Sequence, residues 1–149
     1  MTTGFKIIGI QIRTTNQNSQ AQQDLTHLWS RFISDNLIET IPNKCSNDIF
    51  AIYTDYESDF TGRYTAIIGV TVSSLDKIPS DLIGREFPNA KFQKLTAKGL
   101  IPAAVADTWN KIWNNEISLE RSYTYDYEVY GSDSQKGNNS EVDIYISIE

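Results

Sequence analysis

Residues Tyr64–Ser73 read YTAIIGVTVS, a run dominated by β-branched residues of the kind that favour a β-strand. A turn-rich stretch, Glu57–Gly62 (ESDFTG), precedes this run. Before that stretch, Ile49–Asp55 (IFAIYTD) has the composition of another strand. Two strands joined by a turn-rich connection predict an antiparallel hairpin at the centre of the chain.

Two further elements lie on the N-terminal side of this hairpin. Phe5–Arg13 (FKIIGIQIR) is rich in isoleucine and alternates toward its end, so it is predicted to form a strand. Apolar residues then recur at helical spacing and predict a helix from about Gln20 to Asp35. The apolar positions of this helix are Leu25, Leu28, Trp29 and Phe32. The first half of the chain therefore has the order strand, helix, strand, strand.

The same order recurs in the second half of the chain. Lys91–Ala97 (KFQKLTA) alternates polar and apolar residues, Gly99 ends it, and Pro102 suits the first turn of a new helix. One face of that helix carries large apolar residues, namely Val105, Trp109, Ile112 and Trp113. Two further strands are predicted over Tyr123–Tyr130 (YTYDYEVY) and Val142–Ile148 (VDIYISI).

A duplicated strand-helix-strand-strand unit predicts an α+β fold. We expect an antiparallel sheet with two helices packed on it around a central pocket, because the seam between two such units is a natural place for a concave site. The 149 residues suit a single domain that spans residues 1–149.

The charge and the composition of the chain limit the kinds of partner that it can be expected to bind. Thirteen basic against nineteen acidic residues give a formal charge of −6, which argues against nucleic acid as the main partner. The lone cysteine, Cys45, cannot form an internal disulfide. No run approaches the roughly 18 apolar residues that a membrane helix needs, and Met1–Arg13 does not resemble a signal peptide. We therefore expect a cytoplasmic protein with no membrane partner.

Five segments in succession carry a family resemblance. They are GRYTAIIGVTVSS at Gly62–Ser74, EFPNAKFQKLTAKG at Glu86–Gly99, DTWNKIW at Asp107–Trp113, YDYEVY at Tyr125–Tyr130, and the last strand at Asp143–Ile148. In this order they resemble the GyrI-like, or gyrase-inhibitor-like, small-molecule-binding family. The same fold serves as the effector-binding domain of bacterial multidrug-responsive transcription regulators. Because no helix-turn-helix pattern precedes Phe5, the chain resembles the stand-alone members.

The resemblance implies a cavity lined by aromatic residues, with a strand glutamate that neutralises cationic, lipophilic compounds. That glutamate is Glu128, and strand alternation places Asp126 and Tyr130 on the same face. Tyr53 of the first unit lies at the position that matches Tyr130 of the second unit. The predicted ligand-binding residues are Glu128, Tyr53, Tyr130, Trp109, Trp113 and Tyr64. Without the resemblance, two other interpretations remain open: Glu128 could be an exposed strand residue, and Trp109 could be an ordinary core residue.

No catalytic or metal-ligating residue and no cofactor is predicted. His27 is the only histidine, and it has no serine or cysteine partner in the sequence pattern. We expect a binding protein for small cationic or amphipathic organic compounds, in drug or toxin sensing or sequestration. Two alternatives remain: a small-molecule hydrolase with Glu128 as general base, and an inhibitor or partner of a topoisomerase or regulator. A homodimer or a separate protein partner also remains open.

Overall fold

The alternating apolar segments of the chain form seven strands within the part that the computed structural model describes, residues 4–59 and 61–149. The strands are β1 (Phe5–Thr15), β2 (Ile49–Thr54), β3 (Arg63–Val72), β4 (Ile83–Phe87), β5 (Phe92–Lys98), β6 (Tyr125–Tyr130) and β7 (Glu141–Ser147). Residues 1–3 of the predicted domain and Phe60 of the predicted hairpin turn lie outside the described residues.

The two predicted helices are present as α1 (Gln20–Ser34) and α2 (Ala103–Trp113). Each buries the apolar stripe that its spacing predicted: α1 buries Leu28 and Phe32, and α2 buries Trp109 and Ile112. Pro102 occupies the N-cap of α2, just before its first turn. Neither of these helices is long and apolar enough to cross a membrane, and the same holds for the rest of the described chain.

The strands form one sheet in the order β4-β1-β3-β2-β6-β7-β5, and every pairing is antiparallel. The first unit supplies β1, β3 and β2, and the second supplies β6, β7 and β5, so the two units meet where β2 pairs with β6. The predicted α+β fold and its duplication are confirmed. The segment Leu82–Phe87 adds one strand that the duplicated order did not include, because its residues 83–87 pair with the free edge of β1 as β4.

The helices share one face of the sheet and cover separate parts of it. On one side of the seam, Phe32 of α1 packs on apolar residues of β1 and β3. On the other side, Ile112 of α2 packs on apolar residues of β5 and β7. Tyr53 on β2 and Tyr130 on β6 contact both of these core clusters. The β2–β6 seam therefore places aromatic side chains between the two helices.

The opposite face of the sheet carries a layer of aromatic rings, and no residue of α1 or α2 belongs to it. Tyr127 stacks on Phe50 with ring centroids 5.5 Å apart, and on Tyr145 with centroids 4.6 Å apart. This layer buries the isoleucines beneath it, which are Ile7, Ile52 and Ile67. The second face of the sheet is thus stabilised by strand side chains and not by a helix.

Two glycines permit a close approach of β1 and β3. Gly9 lies directly opposite Gly69, and a Cβ at Gly9 would lie 2.0 Å from the backbone oxygen of Ile68. We predict that Gly9→Ala lowers the free energy of unfolding by at least roughly 2 kcal/mol, because one strand must shift to relieve the clash. Urea unfolding followed by tryptophan fluorescence measures this loss.

Gly137→Ala is the matched control, because a Cβ at Gly137 meets nothing within 4 Å. Its positive φ of +58° carries a cost of about 1 kcal/mol for alanine. An equal loss of stability in the two variants would show that the strands tolerate a side chain at Gly9.

Candidate functional site: a buried glutamate at the seam of the sheet

Glu128 is buried at the middle of the β2–β6 seam, with 1% of its surface exposed. It lies directly opposite Ala51 of β2, whose short side chain leaves room for the carboxyl group. Because side chains alternate along β6, Glu128 and Tyr130 point toward the helices while Tyr127 points to the aromatic layer. The sequence left an exposed Glu128 open, and the structure places it inside.

Three neutral donors surround the Glu128 carboxyl group. The indole Nε1 of Trp109 donates to Oε2 at 2.6 Å, and the hydroxyl of Tyr130 donates to Oε1 at 2.6 Å. The hydroxyl of Tyr53 also lies close enough to the carboxyl group to lower its pKa. No lysine, arginine or histidine among the described residues forms a salt bridge with Glu128. The carboxyl group is therefore hydrogen-bonded but has no counter-charge.

Burial has the largest effect on the pKa of the Glu128 carboxyl group. Removal from water raises the pKa of its carboxyl group, and the hydrogen bonds from Tyr130, Trp109 and Tyr53 lower the pKa only in part. The donors are dipoles without net charge, so they stabilise the carboxylate less than a cation would. Burial and the nearby carboxyl group also raise the pKa of Tyr53 and of Tyr130 well above the ordinary value.

Aromatic rings enclose the carboxyl group. The rings of Tyr53 and Trp109 meet edge to face at 5.7 Å, and Trp113 lies 6.0 Å beyond Trp109. Tyr64 meets Tyr53 edge to face at 5.9 Å, but its hydroxyl donates to Asn16 Oδ1 at 2.7 Å. Of the six residues predicted for the site, Tyr53, Trp109 and Tyr130 contact Glu128 directly, and Tyr64 and Trp113 lie one ring farther out. We refer to Glu128, Tyr53, Trp109 and Tyr130 as the Glu128 cluster.

Trp29 of α1 joins the wall of this cluster, although it was not among the predicted residues. Its ring meets Tyr130 edge to face at 4.9 Å. A signal for it existed in the sequence, because Trp29 and Trp109 occupy matching positions of the two helices. Each helix thus brings one tryptophan toward the seam.

A second buried carboxyl group lies two residues away on the same strand. Asp126 is fully buried and accepts hydrogen bonds from Arg121 Nη2 at 2.8 Å and from the Ser147 amide at 2.8 Å. The Tyr56 hydroxyl also donates to it. Strand alternation placed Asp126 on the same face as Glu128, and the resemblance implied that this face is the inner one, but nothing in the sequence indicated Arg121 as its counter-ion. Of these two neighbouring acids, only Asp126 is paired with a cation.

Metal binding and nucleophilic catalysis find no support next to the Glu128 cluster in the described part of the chain. No group of three or more histidine, cysteine, aspartate or glutamate residues in the described chain could hold a metal ion. His27 and Cys45 are both exposed. The Glu128 cluster can take up or release a proton and can accept a positive charge against aromatic faces.

The duplicated α+β fold, with both helices on one face of a seven-stranded antiparallel sheet, is of the GyrI-like type. The chain belongs to the Cass2 family of integron-associated effector-binding proteins, which it matches over residues 2–148. The resemblance inferred from the five sequence segments is therefore confirmed.

Individual relatives agree with this assignment. The putative transcriptional regulator YobU of Bacillus subtilis is 25% identical over 150 residues, which cover 97% of this chain and 92% of YobU. The integron cassette protein VCH_CASS2 of Vibrio cholerae is 28% identical with a TM-score of 0.73, over 99% of this chain and 92% of that one. SAV2435 bound to tetraphenylphosphonium shares the fold, with a TM-score of 0.79 at 18% identity over 100% of this chain and 94% of its own.

The raised pKa of Glu128 predicts how stability depends on pH. Above the unfolded pKa of about 4.3, the unfolded chain loses the Glu128 proton while the folded protein keeps it. The unfolded state then binds fewer protons, so the contribution of Glu128 to stability falls as pH rises, until the folded carboxyl group also ionises. We predict that Glu128→Gln removes this contribution and is at least as stable as the wild type at pH 7.

Urea unfolding across a pH series measures the contribution as the difference between wild type and Glu128→Gln. Glu141→Gln is the control, since Glu141 is an exposed glutamate on β7. If Glu128→Gln and Glu141→Gln leave the same dependence on pH, burial of Glu128 does not control its protonation.

Proposed function

We propose that the protein binds small lipophilic cations at Glu128 and that the cation supplies the counter-charge that this carboxyl group lacks. The observation that carries the proposal is the contrast on β6: Asp126 has Arg121 as its cation, whereas Glu128 is buried with neutral donors alone. A buried carboxylate without a counter-ion is costly, so a ligand with a positive charge gains from completing the pair.

The aromatic residues of the cluster favour a delocalised or bulky organic cation. Each aromatic face contributes a cation–π attraction of roughly 0.5–2 kcal/mol, and Tyr53, Trp109 and Tyr130 together offer several such faces. Flat ring surfaces impose little exact shape on a ligand. This chemistry suits the sensing or sequestration of varied cationic drugs or toxins. The overall charge of −6 also favours the approach of cations.

Entry of a ligand requires one wall of the cluster to move, because Glu128 is 1% exposed. Tyr53 and Tyr130 lie on β2 and β6, which are paired on both sides within the sheet. Trp109 lies on α2, a helix of eleven residues, and the irregular segment 114–124 follows it. We infer that Trp109 moves away with α2 and gives up its hydrogen bond to Glu128 Oε2.

We predict that tetraphenylphosphonium, the ligand of the same-fold protein SAV2435, binds the wild type and changes its tryptophan fluorescence. Glu128→Gln should weaken this binding at least tenfold, because the amide keeps the shape of the side chain and removes the negative charge. Fluorescence titration and calorimetry measure the two affinities. Glu141→Gln, which removes an exposed charge from β7, should bind as the wild type does.

Proton exchange gives the same test a second readout. Since the pKa of Glu128 is raised by burial, a bound cation should favour the carboxylate and release a proton. Affinity should therefore rise with pH, and the binding heat should depend on the ionisation enthalpy of the buffer. Triphenylphosphine oxide is a neutral comparator of similar bulk. Equal binding of this comparator, or unchanged binding by Glu128→Gln, would contradict charge recognition at Glu128.

A further inference from the structure

Arg121 is a buried cation whose hydrogen-bonding capacity is only partly used. It lies in the segment between α2 and β6, and 7% of its side chain is exposed. Its Nη2 donates to Asp126 Oδ2 at 2.8 Å. Its Nε and Nη1 are buried without a hydrogen-bond partner in the described part of the chain. Buried donors almost always have a partner, so two on one side chain call for an explanation.

Arg121 lines a cleft of about 410 Å³ beneath the C-terminal end of α2. This volume lies within the roughly 300–1,000 Å³ that is usual for small-molecule sites. The other side chains that line the cleft are mostly apolar: Ile112, Trp113, Ile117, Leu119 and Tyr123, with Asn115 as the polar exception. A concavity that combines apolar side chains with a few polar groups is typical of a small-molecule site.

Aromatic rings hold the Arg121 guanidinium in place. Its Cζ lies 4.3 Å from the ring centre of Tyr123, 5.7 Å from that of Trp109 and 5.9 Å from that of Tyr56. These contacts, together with the ion pair to Asp126, fix the orientation of the group. The guanidinium is therefore held in one place at the wall of the cleft, and a local opening of the surrounding side chains is needed to expose the two buried N–H groups that have no partner.

We propose that this cleft, hereafter the Arg121 cleft, is a second small-molecule site that takes an uncharged ligand with a carbonyl or amide oxygen. The ligand oxygen accepts hydrogen bonds from Arg121 Nε or Nη1, and its apolar body packs on Trp113 and Leu119. The Arg121 cleft is distinct from the Glu128 cluster, and the two adjoin at Trp109: its Nε1 contacts Glu128 and its ring faces Arg121.

The charge balance of the cleft selects a neutral acceptor. Asp126 is fully buried and already neutralises Arg121. An anionic ligand would therefore bring in a second negative charge, and no side chain of the cleft lining other than Arg121 carries a charge to oppose it. A carbonyl oxygen has two lone pairs and adds no charge. The charge of Arg121 is already neutralised, but two of its hydrogen-bond donors still lack a partner.

Benzamide is the probe for this site. We predict that, at millimolar concentration, it shifts both the Arg121 Nε–H and the Trp113 indole resonances in ¹H–¹⁵N spectra of the ¹⁵N-labelled protein, along one saturable curve. Benzoate and toluene, which carry an anion and no acceptor respectively, should bind at least fivefold more weakly. Absence of a benzamide shift, a Trp113 shift without an Arg121 shift, or equal binding of benzoate or toluene overturns the proposal.

Two variants test the role of Arg121 itself. Arg121→Lys keeps a positive charge for Asp126 and removes the Nε and Nη1 donors. Arg121→Met combined with Asp126→Asn removes both charges together, so neither a buried aspartate nor an arginine is left without its counter-ion. Each should weaken benzamide binding at least tenfold, as followed at the Trp113 indole resonance.

Arg85→Lys is the matched control, because Arg85 also forms an ion pair, with Asp55 at 2.7 Å, but lies partly exposed outside the cleft. It should bind benzamide with the wild-type affinity. Benzamide binding that survives in both Arg121 variants would show an apolar cleft without a role for the guanidinium. If one of the variants fails to fold, the other and the wild-type Arg121 resonance still decide the outcome.

Discussion

Two acids buried two residues apart on β6 set the chemistry of this protein. Asp126 is matched by the guanidinium of Arg121, by a backbone amide and by a tyrosine hydroxyl. Glu128 is hydrogen-bonded by neutral donors alone, and burial raises its pKa more than these donors lower it. A folded protein can retain such a carboxyl group because donors occupy both oxygens. In the function proposed above, a cationic ligand supplies the counter-charge that Glu128 lacks.

The duplicated architecture explains why Glu128 lies where it does. Pairing of β2 with β6 joins the two units and places the middle of the sheet between α1 and α2. Each helix covers its own half with apolar side chains, and each brings a tryptophan toward the seam, Trp29 from one side and Trp109 from the other. The central strands β2 and β6 are paired on both sides within the sheet, so we expect an opening to come from a helix. Helix α2, which carries Trp109, also forms one wall of the Arg121 cleft through Ile112 and Trp113.

The sequence predicts some residues of the site and not others, and the reason is physical in each case. The period of two along β6 assigns Glu128 and Tyr130 to one face, and the family resemblance selects that face as the inner one. Tyr64 carries the same aromatic signal, yet its hydroxyl donates to Asn16, which lies 48 residues away in the sequence and which no local pattern connects with it. Arg121 lies in an irregular segment with no period at all, so no pattern could connect it with Asp126.

Local patterns of the sequence determined the strands and helices of the duplicated units and which residues of β6 share a face, because these depend on spacing within single elements. The succession of these elements along the chain indicated the duplication and the family resemblance, and the resemblance selected the inner face of β6. The tertiary structure alone decided which residues meet. The contact of Trp109 with Glu128, the pairing of Arg121 with Asp126 and the addition of β4 to the edge of β1 join distant parts of the chain. The charge state of Glu128 belongs to this second group, since desolvation and donor geometry exist only when two helices close over the sheet.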